Sequence, residues 1–205
     1  MNTTKRWTRY VCTMLVLCLC STLPRSPQES AVAVDSPVNV LLSFDRDAFE
    51  IAAFLTKRMN IGDDVELLRL SQLILNKAAE IGVEPHVLLA VIDVESTYDH
   101  CARSRVGAQG LMQVMPYRIL GRDEAQRLFT FNSHLVYDPY WNIAFGAQYL
   151  GDLIVRFDSL EAALAAYNAG PTRIARILDE DGFVQSTYAS RVFRRAERIQ
   201  RQLNI

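Results

Sequence analysis

The chain has 205 residues, which is room for one compact domain and a short appendage and too little for two ordinary domains. Half of them are hydrophobic and 22% are charged, a balance that excludes wholesale disorder. With 22 basic against 23 acidic residues the net charge is -1, which excludes a generally basic nucleic-acid binder, and nine Gly and seven Pro exclude a collagen-like or low-complexity polymer.

The N-terminus reads as an export signal. Lys5, Arg6 and Arg9 form a positive opening, and an uncharged, mostly apolar stretch runs from Val11 to Cys20 before Ser21, Thr22 and Pro24. Residues 1–22 are therefore expected to hold a signal peptide, with Cys18 and Cys20 as the small residues flanking a cut after Cys20. The apolar run is short of the ~20 residues of a bilayer span, so a retained membrane anchor is the second reading. A lipoprotein cut is the third, because Leu17 and Leu19 stand before Cys18 and Cys20 where such signals need a small residue. Removing residues 1–20 takes away three positive charges and three of the four cysteines and leaves Cys101 alone, so no internal disulfide is expected.

Residues 23–62 read as a linker with a short accessory helix. Pro24, Pro27 and Pro37 lie among Ser, Ala and Val, and Asp47 with Glu50 resembles a capping pair that opens a helix ending near Asn60 and Gly62. The main domain, 63–205, is expected to be all-α. Asp63 and Glu66 cap a helix striped by Leu67, Leu70, Ile74 and Ala78, and Gly82 stops it. Pro85 opens a helix that is apolar almost all round, from Val87 to Val94, which is the pattern of a central buried helix. Asp138-Pro139 starts another, Asp158 and Glu161 frame a small-residue helix through Tyr167, and Gly170-Pro171 closes it. A short helix holds Ile174, Ile177 and Leu178, and the last carries Val192, Ala196, Ile199 and Leu203. No pair of strands with a hairpin turn is evident.

Glu95 ends the most hydrophobic helix. Burial penalises its charged form, and the partial negative charge of a helix C-terminus penalises it again. Both raise its pKa, and a carboxylic acid protonated near neutrality is what cleavage of a glycosidic bond requires. The same placement also suits a Glu that merely reaches solvent where a helix leaves the core. Asp93, about 200° away around the helix, reads as a structural or surface carboxylate.

Downstream come Ser96-Thr97-Tyr98-Asp99, Gly107-Ala108-Gln109-Gly110-Leu111-Met112-Gln113, Asp138-Pro139, Asn142-Ile143, Gly146, Tyr149-Leu150 and Ala166-Tyr167-Asn168-Ala169-Gly170. In this order, across about residues 64 to 195, the set resembles the lytic transglycosylase domain of the soluble-transglycosylase family, whose fold is lysozyme-like, of the goose type. The resemblance implies that Glu95 is the catalytic acid and that Ser104, Met112, Gln113, Tyr167, Asn168 and Tyr188 bind substrate. The chemistry suits those roles. Gln113 offers donors and an acceptor to hydroxyl and acetamido groups, Met112 adapts to the apolar face of a sugar ring, and the Tyr167 hydroxyl can orient a carboxylate. Core packing for Met112 and Tyr167, and a helix C-cap for Asn168, are the plain alternatives. One departure stands out: the family carries a late Glu-Thr before its Tyr, and this chain reads Gln185-Ser186-Thr187-Tyr188, without the acid.

The implied reaction is cleavage of the β-1,4 bond between N-acetylmuramic acid and N-acetylglucosamine in peptidoglycan, with Glu95 as single acid and base and a 1,6-anhydro end as product. A goose-type muramidase, which uses water, is the enzymatic rival. A catalytically weak wall-binding protein, or one serving a secretion apparatus, is the other. No cofactor is expected, and no metal, since His86, His100, His134 and Cys101 lack a ligand spacing. The expected setting is the periplasm or cell envelope, as a monomer on glycan strands and not on nucleic acid. The Arg191, Arg194, Arg195, Arg198 and Arg201 face of the last helix reads as a solvated surface, or as a means of steering toward anionic wall polymer or lipid headgroups.

Overall fold

The structure, a computed structural model, describes residues 44–60, 63–115 and 135–203. The expected signal at 1–22, the proline-containing linker, Gly62, Pro116 and His134 lie outside the described residues. All described residues belong to one unit, Pro37–Ile205.

Among the described residues there are seven α-helices and no strand: α1 (Arg46–Thr56), α2 (Asp64–Ile81), α3 (Pro85–Ser96), α4 (Pro139–Phe157), α5 (Leu160–Ala169), α6 (Pro171–Asp181) and α7 (Thr187–Gln200). The all-α reading therefore holds. The central helix is α3, with Val87 through Ile92 all buried. It packs along α7 on one side and against α2 on another, and α5 closes against α4 and α7. Ile51, Phe54, Leu55 and Met59 of α1 and its exit join the same core as Ile74, Leu88 and Leu111.

Capping residues fix most of the boundaries. Asp63 accepts the Glu66 N–H at 2.8 Å, Asp138 that of Trp141 at 2.8 Å and Ser186 that of Ala189 at 3.1 Å. Gly82 stops α2 in the left-handed region at φ 71°. Two expected caps move. Asp45, not Asp47, precedes α1, and its carboxylate accepts from the Gln72 amide of α2 at 2.6 Å instead of capping its own helix. Ser159 caps α5, accepting from the Ala162 N–H, while Asp158 ends α4 in the left-handed region at φ 48°. A carboxylate three residues before a Glu fits either position, and sequence alone does not separate them. Leu203 lies past the end of α7 yet is buried in the core.

One close approach decides where the chain after α3 can lie. A Cβ on Gly146 of α4 would stand 2.6 Å from both Cβ and Sδ of Met112. That helix face is thus shaped to receive Met112, which is fully buried. Gly146→Ala is expected to lower stability by about 1–3 kcal/mol through overpacking, measurable as an earlier thermal unfolding transition.

Candidate active site

The site is built where α3 ends. Thr97 and Tyr98 both adopt left-handed backbone, at φ 54° and 63°, which costs an L-residue about 1–2 kcal/mol each. Tyr98 offsets this by burial: its ring meets Phe54 edge-on and its hydroxyl donates to the Leu89 carbonyl at 3.1 Å. The paired left-handed residues turn the chain sharply, so that Glu95 stands on the last helical turn with a loop folding back beside it.

That loop, residues 99–115, is held by short-range backbone bonds and by one buried side chain from α4. Ser104 accepts the Ala108 N–H on its hydroxyl at 2.9 Å. Gly110 donates to the Ala102 carbonyl, and Gln109 and Val114 exchange two backbone bonds. Asn142, fully buried, accepts the Met112 N–H at 2.7 Å and donates to the carbonyls of Gln109 and Val136 at 2.9 and 2.8 Å. The Tyr167 hydroxyl of α5 donates to the Met112 carbonyl at 2.8 Å. Both backbone groups of Met112 are thus fixed to helices. Gly110, at φ 76°, passes so close that a Cβ there would stand 2.2 Å from the Asn142 amide nitrogen and 2.8 Å from the Val136 carbonyl.

Glu95 is half-buried, and Tyr188 of α7 donates a hydrogen bond of 2.5 Å to its Oε1. Desolvation by burial raises the Glu95 pKa above the ordinary carboxylate value; the Tyr188 hydrogen bond and the Arg191 charge pull it down but do not cancel the rise. Because Oε1 already receives the tyrosine proton, the acid's own proton belongs on the other oxygen, Oε2. The Tyr167 and Tyr188 hydroxyls are both pushed well above their ordinary values, first by burial and next by the nearby Glu95 charge, so both are neutral donors at neutral pH. Tyr188→Phe removes the contribution that favours ionised Glu95. The expected result is a further rise of the Glu95 pKa, read from the carboxyl carbon shift across a pH titration.

The sequence-assigned residues divide by what they touch. Glu95 and Tyr188 are in direct contact, and Tyr167 is near enough to feel Glu95's charge. The carboxylate-orienting hydroxyl is that of Tyr188, however, not of Tyr167, whose bond to Met112 positions the loop. Met112 contributes buried bulk and backbone groups. Gln113, itself at φ 49°, donates its side-chain amide to the carbonyls of Ala102 and Gly110, and its Oε1 has no partner among the described residues. Asn168 is exposed on the last turn of α5 and is not the cap, which is Gly170. Ser104 shapes its own turn.

Two further residues stand at the site. Asn142 was visible only as part of a motif, and a buried Asn within a helix is the signal that marks it. Arg191 read as part of a solvated face, but it follows Tyr188 by three residues on α7, so it shares that face, with its guanidinium 5.6 Å from the Tyr188 ring centre. Asp93, on the far side of α3, is nearly buried and pairs with Arg195 at 3.1 Å. The ligand atoms of Asp99, His100 and Cys101 lie within 4.8 Å of one another on an exposed turn, where the Asp99 carboxylate accepts the Cys101 N–H at 2.9 Å.

The arrangement is thus a half-buried acid on a central helix, gripped by a neutral tyrosine and flanked by a pinned loop. The Transglycosylase SLT domain family matches residues 72–188, more than half of the chain, and the chain belongs to that family. The helical architecture expected from the resemblance is the one found among the described residues. Among curated relatives, the chain is 34% identical over 124 residues to "Membrane-bound lytic murein transglycosylase C" of Actinobacillus pleuropneumoniae, covering 54% of this chain and 33% of the relative. It is 34% identical over 93 residues to "Transglycosylase" of Enterobacteria phage PRD1, covering 45% and 32%. The chain thus spans about a third of the length of these relatives. Its structure is similar to an X-ray structure of an inactive Glu-to-Gln mutant of lytic transglycosylase Slt from Pseudomonas aeruginosa, at 29% identity and a TM-score of 0.44, covering 64% of this chain and 22% of that one.

Proposed function

We propose that the chain is a peptidoglycan lytic transglycosylase of the cell envelope, with Glu95 as its single general acid and base. The observation that carries the reading is the half-buried Glu95, its pKa raised by burial and its Oε1 held by Tyr188. Family membership and the lytic murein transglycosylases among its relatives support the substrate class.

The proposed step uses this one acid twice. Glu95 gives the proton on Oε2 to the glycosidic oxygen between N-acetylmuramic acid and N-acetylglucosamine, and the bond from carbon 1 to that oxygen breaks. The substrate's acetamido oxygen stabilises the cationic carbon. Glu95, now a carboxylate that still accepts from Tyr188, takes the proton of the muramic acid 6-hydroxyl. That oxygen closes on carbon 1, giving a 1,6-anhydro end and restoring the acid. No second carboxylate is needed, in keeping with the engagement of Asp93 by Arg195 and of Asp99 by its own turn. Gln113, through its Oε1, Asn168 and Ser104 are the polar groups proposed to meet sugar substituents, with Tyr167 and Met112 holding the wall behind them.

The domain boundaries proposed are a signal or anchor at 1–22, an accessory segment at 23–62 and the catalytic domain at 63–205. No helix among the described residues is long and apolar enough to cross a membrane. Export and any membrane attachment are proposed for the N-terminal segment on its positive opening and apolar run, and the chain is proposed to act as a monomer.

Mass spectrometry of purified sacculi after digestion tests the reading. Anhydro-muropeptides support it, reducing ends would replace it with the muramidase, and no release together with retained sacculus binding would replace it with the wall-binding protein.

A further inference from the structure

We infer that the chain carries a second binding site, an oxyanion pocket on the face of α3 opposite Glu95. Asp93 and Thr97 are four residues apart and share that face, while Glu95 lies about 200° from Asp93 around the helix. A cavity of about 380 Å³ opens there, and α7 lines it with Arg195, Arg198 and Ile199, joined by Gln202 two residues past its end. Arg58, just past α1, completes the wall.

The pocket is built for negative charge. Three guanidinium groups face one carboxylate. Asp93 takes only the Nε of Arg195, at 3.1 Å, which leaves the two terminal nitrogens of that fork available. Arg58 is locked in place: Nη1 donates to the Phe54 carbonyl at 2.9 Å, Nη2 to Gln202 Oε1 at 2.8 Å, and the group lies 3.6 Å over the Phe54 ring. Arg198 makes no hydrogen bond or ion pair among the described residues. Two cations beyond the one neutralised by Asp93, one of them rigid, present forked donors, and the matching ligand is a planar or tetrahedral oxyanion. The pocket therefore takes a carboxylate or phosphate group of a small ligand. Its volume suits one such group with a short stem rather than a polymer strand. Since the end of α3 forms part of its wall, an occupant presses on the helix that carries Glu95.

Titration of the 15N-labelled full chain at constant ionic strength tests the assignment. The probes are inorganic phosphate, acetyl-alanyl-alanine and the carboxamide of that peptide. The expected result is a saturable displacement of the Thr97, Tyr98 and Ile199 amide signals by phosphate or by the free-acid peptide, and none by the carboxamide. Response to phosphate alone assigns a phosphoryl ligand, and response to the peptide acid alone assigns a chain-terminal carboxylate. Arg198→Gln should weaken the interaction about tenfold, whereas Arg194→Gln, the same charge loss on the same helix outside the pocket, should leave it unchanged. Absence of saturation, or equal weakening by both substitutions, overturns the site. Neither outcome bears on whether Glu95 cleaves glycan.

Discussion

Glu95→Gln is expected to lower release of anhydro-muropeptides by about 10³-fold, because a group that donates and then recovers the proton is replaced by one that can do neither. The fold should survive, since the Gln carbonyl still accepts from the Tyr188 hydroxyl as Oε1 does. Stability supplies a second, independent readout. The folded Glu95 pKa is raised above the ordinary value of 4.5, mainly by burial. As pH climbs through and beyond that value, the unfolded chain loses the Glu95 proton first while the folded chain keeps it. Folding then grows less favourable until the folded pKa is passed. The variant lacks this penalty. It should therefore unfold at higher temperature than the wild type at neutral pH and at the same temperature below about pH 4, where both states of Glu95 are protonated. A variant equally active, or no more stable at neutral pH, would remove the raised acid from the site.

The same reasoning sets the pH profile of the wild type. Activity needs Glu95 protonated at the start of each turnover, so it should be high below the Glu95 pKa and fall as pH passes through it. In Tyr188→Phe the falling limb should move to higher pH, because the hydrogen bond that favours ionisation is gone, even though the maximal rate drops with the loss of orientation. A purely structural tyrosine would change the rate without moving the limb.

How much of this was legible in the residues depends on the range of the interaction concerned. Helix ends set by local chemistry were readable: Asp63, Gly82, Pro85, Asp138 and Gly170 each act on backbone within a few residues. The position of α3 in the core was readable too, since a helix apolar all round has nowhere else to go. Asp45 was not, because its partner, Gln72, lies on the next helix. The two tyrosines show the same limit. Tyr167 and Tyr188 are both plausible partners for an acid by composition, and only the packing of α7 along α3 puts the second within 2.5 Å of Glu95 and leaves the first to the Met112 carbonyl. Met112 suits a sugar face by its chemistry, yet the notch at Gly146 takes its side chain out of solvent altogether.

The largest expected stability effect lies at Asn142. Its side chain satisfies one N–H and two carbonyls that are remote from its own helix ladder, and all three belong to the wall of the site or its neighbour at Val136. Asn142→Ala leaves those groups without partners in a buried place, and the expected loss is about 3–5 kcal/mol, lowering the unfolding temperature by about 10 °C. Asn142→Asp is the sharper test, since it preserves size. It keeps an acceptor for the Met112 N–H, but it sets negative charge against two carbonyl oxygens that need donors. It should be at least as damaging at neutral pH and recover partly in acid, where a protonated Asp donates to one of them. The close approach of Gly110 adds a coupling that neither substitution shows alone. In the wild type, a methyl at position 110 collides with the Asn142 amide as well as with the Val136 carbonyl. Once Asn142 is truncated, only the carbonyl and the φ of 76° still resist it. Gly110→Ala should therefore cost measurably less in the Asn142→Ala background than alone, by about 1 kcal/mol or more in a double-mutant cycle of chemical unfolding. Strict additivity would mean that the loop is not seated on that asparagine and that Glu95 stands beside a wall held by some other means.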